Sequence, residues 1–142
     1  MLPVVLLLLA AVSCARADYP LYIDELEDLV SPADRRLLEA LDNNEYTPRS
    51  ELQTQFNVIL ERQTQAVQSQ YNALVQMEET ERQMKNQYKL TRATQRGYAD
   101  ILRQLQDIEA NLSLSESAAD QQKWALKRQL PRNYDDSNEY RV

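Results

Sequence analysis

Side chains that do covalent or acid–base chemistry are scarce in this chain of 142 residues. Cys14 is its one cysteine, and the chain has no histidine. Beyond residue 14 there is thus no thiolate nucleophile, no imidazole base and none of the usual zinc ligands. Carboxylates remain, 22 of them against 16 basic residues. A carboxylate pair can act as acid and base, but only within rigid pocket walls. Here the acidic residues fall mostly on the polar faces of helical patterns, where solvation accounts for them. The acidic run at 24–28 lacks the alternating oxygens and the glycine of a calcium loop. Gly97 is the only glycine, which excludes a glycine-rich phosphate loop. The expectation is a protein that is not an enzyme and uses no metal and no cofactor.

Cys14 itself belongs to a segment of a different kind. Val4 to Val12 is an unbroken apolar run, and Ala15-Arg16-Ala17 offers small residues at the two positions a signal peptidase inspects. A membrane anchor needs about 20 apolar residues, and this run is too short. No Lys or Arg precedes it, a mild departure from the usual secretory pattern. Residues 1–17 therefore read as a secretory signal cleaved between Ala17 and Asp18, which makes the protein secreted and extracellular. The remaining chain has no cysteine, so its fold rests on apolar burial without disulfides. Losing Arg16 leaves 15 basic and 22 acidic residues, a net charge of −7. Such a balance argues against nucleic acid, which demands clustered Lys and Arg.

The elements that must position any site are helical. With one glycine the chain has no Asn-Gly or Gly-rich hairpin turns, and Leu, Gln, Ala, Glu and Arg dominate it. Ser31-Pro32 and Thr47-Pro48 each put a hydroxyl cap before a proline, and Leu112-Ser113-Leu114-Ser115-Glu116 reads as a capping box. From these starts we expect a short turn or two over 20–29, a helix over 32–41 and one long helix from Pro48 to about Leu90. A kink or turn should follow across Thr91 to Gly97. Tyr98, Ile101, Leu102, Leu105, Ile108 and Leu112 then form the clearest amphipathic stripe. A last helix over 114–130 should bury Ala118, Trp124 and Leu126. The predicted fold class is all-α, a small bundle of one long helix packed on later amphipathic helices. It is read as a single domain over 18–130 with a disordered acidic tail at 131–142.

Four features bear on function. Asn111-Leu112-Ser113 is the only N-glycosylation sequon and falls in an expected turn. Tyr71, Leu74, Met77, Met84 and Tyr88 on the long helix, with Tyr98 beyond it, combine pliable thioethers and amphipathic rings that could line a groove for an apolar molecule. Lys127-Arg128 and Arg35-Arg36 would suit a peptide precursor cut at dibasic sites, although capped helices are unusual between such sites. Leu52, Phe56, Ile59 and Ala66 begin a heptad seam that Gln63 and Gln70 interrupt. A homodimer or structural oligomer is the reading that seam would support.

The order of these parts resembles the secreted helical antigens of nematodes of the SXP/RAL type. The likeness rests on "LEALDNNEYTPRSELQTQF", the glutamine-rich long helix and "YADILRQLQDIEANLSLSESAADQQKWAL", over about 37–130. The glutamine density and the acidic segment before Ser31 depart from that pattern. The resemblance implies an extracellular all-helical protein without assigned enzymatic activity, and it transfers no site residue. The resulting expectation is a secreted binding protein for a small apolar molecule or a protein partner, without a membrane span.

Overall fold

Described in the computed structural model are residues 21–132 and Tyr134. The signal segment with its Ala17–Asp18 junction lies outside them, as does the tail apart from Pro131, Arg132 and Tyr134. The described residues form six α-helices and no strand: α1 (Ile23–Glu27), α2 (Pro32–Asp42), α3 (Arg49–Glu61), α4 (Gln65–Arg96), α5 (Ala99–Ala110) and α6 (Glu116–Lys127). No helix among them is long and apolar enough to cross a membrane.

The single helix expected over 48–90 is two helices. Thr64 breaks it, because its hydroxyl accepts the Val67 N–H at 3.4 Å and starts α4 afresh. Gln63 stabilises the break by donating to the Ile59 carbonyl and to Asp34 of α2, both at 2.9 Å. α4 then runs 32 residues, about 48 Å. The helix continues through 91–96, where Thr91 and Thr94 donate their hydroxyls to carbonyls four residues back. The turn comes at Gly97, whose φ of 83° gives the left-handed cap that a side chain would resist.

Two apolar cores lie along α4. The first gathers Leu21, Ile23 and Leu26 with Leu38 and Leu41 of α2, Leu52, Phe56 and Ile59 of α3, and Tyr71 of α4. Tyr71 closes it. Its ring lies 5.6 Å from that of Phe56, and its hydroxyl donates to the Leu21 carbonyl at 2.7 Å. The second joins Ala93 of α4 to Tyr98 and Leu102, with Leu130 and Tyr134 packed against it. Between the two cores one face of α4, with Val75, Glu79, Arg82, Asn86 and Lys89, is half-buried.

Two helix starts differ from their sequence signals. Thr47 does not cap α3. The first free N–H groups of that helix, Arg49 and Ser50, donate instead to the Leu114 and Leu112 carbonyls at 3.0 and 2.8 Å, so the α5–α6 loop caps it. Likewise the cap of α6 is Ser115 rather than Ser113, since the Ser115 hydroxyl accepts the Ala118 N–H at 3.2 Å. Trp124 is exposed, not buried, because α6 turns Ala119 inward and position 124 lies on the other face; its ring carries the Arg128 guanidinium at 4.7 Å.

Candidate functional site

Arg49 fixes the end of the molecule where α3, α5 and α6 meet. Its side chain is fully buried. Nη2 and Nε donate to Glu116 Oε2 at 2.6 and 3.2 Å, while Nη1 donates to the Ile108 and Glu109 carbonyls at 3.1 and 3.0 Å. One guanidinium thus ties the last carbonyls of α5 to the first turn of α6, a role only a planar multi-donor cation fills. Sequence periodicity misses it, because a polar residue in a first helical turn ordinarily faces water.

With α5 and α6 held in this way, the later turns of α4 close a cleft of about 370 Å³, within the range of small-molecule sites. α4 contributes Arg82, Lys85, Asn86 and Lys89, spaced so that all lie on one helical face. α5 contributes Leu102, Leu105, Gln106 and Glu109 at the same spacing, and α6 contributes Lys123 and Lys127. Tyr134 completes the lining. Leu102 and Leu105 are buried and give the cleft an apolar floor. Its walls are polar and mostly cationic.

The charges around the cleft are held in place. Glu79 accepts from Arg82 at 2.8 and 2.9 Å and from the Tyr22 hydroxyl at 2.9 Å. The Arg82 hydrogen bonds hold its carboxyl below the ordinary range, against the opposing effect of partial burial. Lys123 meets Asp120 at 2.9 Å, Glu109 at 3.1 Å and Glu116 at 3.4 Å. Burial works against the Lys123 charge, but hydrogen bonds to Asp120 and Glu109 and the charges of Glu109 and Glu116 outweigh it and raise its pKa. Lys85 pairs with Glu81 one turn earlier on α4.

The groove residues expected from sequence do not come together. Tyr71 is buried in the first core and Tyr98 in the second, while Met77, Met84 and Tyr88 are exposed on α4 and Leu74 is half-buried. None of the six lines the cleft. The location expected for it, between the long helix and the 98–108 face, does hold a cleft, but α4 turns a basic face toward it instead of the thioethers. The spacing that would have revealed this is Lys85/Lys89 and Lys123/Lys127, two pairs one helical turn apart.

Asn111 is exposed at the C-terminal cap of α5, where its Oδ1 accepts the Ser113 hydroxyl at 2.7 Å and the Ser113 N–H at 3.0 Å. Among the described residues no group of three or more His, Cys, Asp or Glu side chains could hold a metal ion. No family model, no curated protein and no solved structure matches the chain.

Proposed function

We propose that this chain is a secreted, non-enzymatic helical protein that binds a small amphipathic molecule in the cleft between α4, α5 and α6. The observation that carries the reading is the cleft's construction: a buried floor of Leu102 and Leu105 beneath polar walls supplied by three helices. Secretion is supported by the apolar run over Val4 to Val12 and the Ala15-Arg16-Ala17 site. The helical setting of Lys127 and Arg128, at the end of α6 with Arg128 stacked on Trp124, disfavours cleavage there and so weakens the precursor alternative. A fluorescent fatty acid tests the reading. Saturable, blue-shifted emission should vanish in Gln106→Trp, which fills the cleft, and persist in Met77→Gln with Met84→Gln. Emission insensitive to Gln106→Trp, or no emission change at all, would overturn it.

A second reading has its own observation. Met77 and Met84 are 69% and 64% exposed and lie seven residues apart on one face of α4, with Tyr88 a turn further on. Such a stripe suits a protein partner or a second copy of the chain. Sedimentation of the intact chain beside Met77→Glu with Met84→Glu tests the self-association form of this reading; a parent that sediments as a monomer contradicts it.

A further inference from the structure

The chain contains four lysines, Lys85, Lys89, Lys123 and Lys127, and all four line the cleft. They form two pairs at i and i+4, one on α4 and one on α6. Like charges at that spacing oppose helix formation. Their concentration on one cleft of a chain with a net charge of −6 therefore runs against local helix stability and against the overall charge. Arg82 adds a fifth cation, and Glu109 is the one carboxylate in the lining. Of the carboxylates that pair with these cations, Glu79, Glu81, Glu116 and Asp120 do not line the cleft, whereas Glu109, which meets Lys123, does. The lining itself thus holds five cations and one carboxylate above an apolar floor.

Resting on the reading of this cleft as a binding site, we propose that its occupant is an amphiphilic organic anion, with a carboxylate or phosphate head against the four lysines and an apolar body over Leu102 and Leu105. Field lines concentrate in a cleft whose walls carry an excess of one sign of charge, so an anionic head is attracted before contact and held after it. Lysine suits a head of variable position. Its ammonium is a compact charge on a flexible stem, whereas a planar arginine fork demands one fixed geometry. The apolar floor excludes a bare anion as the best occupant, because Leu102 and Leu105 offer it nothing.

Calorimetric titration of the intact chain at neutral pH with dodecanoate, dodecyl phosphate, 1-dodecanol and inorganic phosphate tests the proposal. At least one of the two anionic amphiphiles should bind about tenfold or more tighter than dodecanol, a difference of about 1.4 kcal/mol. The tighter of the two identifies the head group. That preference should largely disappear in Lys89→Gln with Lys127→Gln, whose melting curve reports whether the fold is kept, and it should shrink with added salt in the parent. Dodecanol binding as tightly as both anions would overturn the anion wall and leave the cleft reading standing. Inorganic phosphate binding as tightly as dodecyl phosphate would overturn the apolar component. Absence of binding by every amphiphile would overturn the cleft reading and the proposal together.

Discussion

Arg49 and Glu116, 67 positions apart in the chain, are joined through two donors of one guanidinium, the shorter contact being 2.6 Å. Arg49 is wholly buried, and Glu116 is 30% exposed. The pair matters less for its Coulomb energy than for what it aligns: α3 behind, the last carbonyls of α5 above, and the first turn of α6 beside them. A buried ion pair contributes little net stability relative to an apolar replacement, yet losing one member leaves the other charge and the bound carbonyls without compensation.

Arg49→Met should therefore destabilise the fold by about 3 kcal/mol. Adding Glu116→Leu should recover part of that loss, since the stranded carboxylate is then gone. Thermal melts of the two variants and the parent check this. A single variant that melts with the parent would mean that α5 and α6 are aligned by something else.

Two buried tyrosines should respond in opposite directions to loss of the hydroxyl. Tyr71 donates to the Leu21 carbonyl, so Tyr71→Phe strands an acceptor and should cost about 1–2 kcal/mol. The Tyr98 hydroxyl is buried with no hydrogen-bond partner among the described residues, so Tyr98→Phe should be neutral or stabilising by up to about 1 kcal/mol. Chemical denaturation of both variants distinguishes them, and equal losses would contradict the assignment.

Tyr71 also sets an alkaline limit. Burial, then the neighbouring Tyr22 and Glu25, raises its pKa well above the ordinary value of 10.0. In the range between the unfolded and folded values the native state holds the proton and the unfolded state releases it, so stability falls as pH rises. Stability should hold below about pH 10 and decline above it. Tyr71→Phe should flatten that decline. A parent whose stability does not change above pH 10 would contradict the burial of this phenol.

How much of this was legible in the sequence varies by feature. Ser31-Pro32, Gly97 and the Leu102/Leu105 stripe are local signals, and each stands at the helix start, turn or buried face it indicates. Thr64 also carries a local cap signal, but the surrounding glutamines favour helix equally on both sides and hide it. Trp124 is exposed where a buried position is expected, because the inward face of α6 is fixed by small Ala119 fitting closely against its neighbours. Arg49 could not be found locally, since its acceptors are 59 to 67 positions away. The lysine pairs were visible as spacing, but nothing in the sequence says that α4 and α6 turn them toward a shared cleft.

Asn111 should carry a glycan when the chain is made through a eukaryotic secretory pathway. The exposed amide and its Oδ1 contact with the Ser113 hydroxyl leave the side chain accessible on the α5–α6 turn. Glycosidase treatment should increase gel mobility of the parent and leave Asn111→Gln unchanged, and the N-terminal residue of that material should be Asp18. Unchanged mobility of the parent, or an N-terminus at Met1, would contradict the secretory reading.

The most direct measurement is an amide chemical-shift map of the isotope-labelled chain titrated with dodecanoate. Saturable shifts should concentrate at 82–89 of α4, 102–109 of α5 and 123–127 of α6, the three faces that line the cleft. Shifts confined to α4 before residue 82, around the exposed Met77, or scattered evenly over the six helices, would contradict the account.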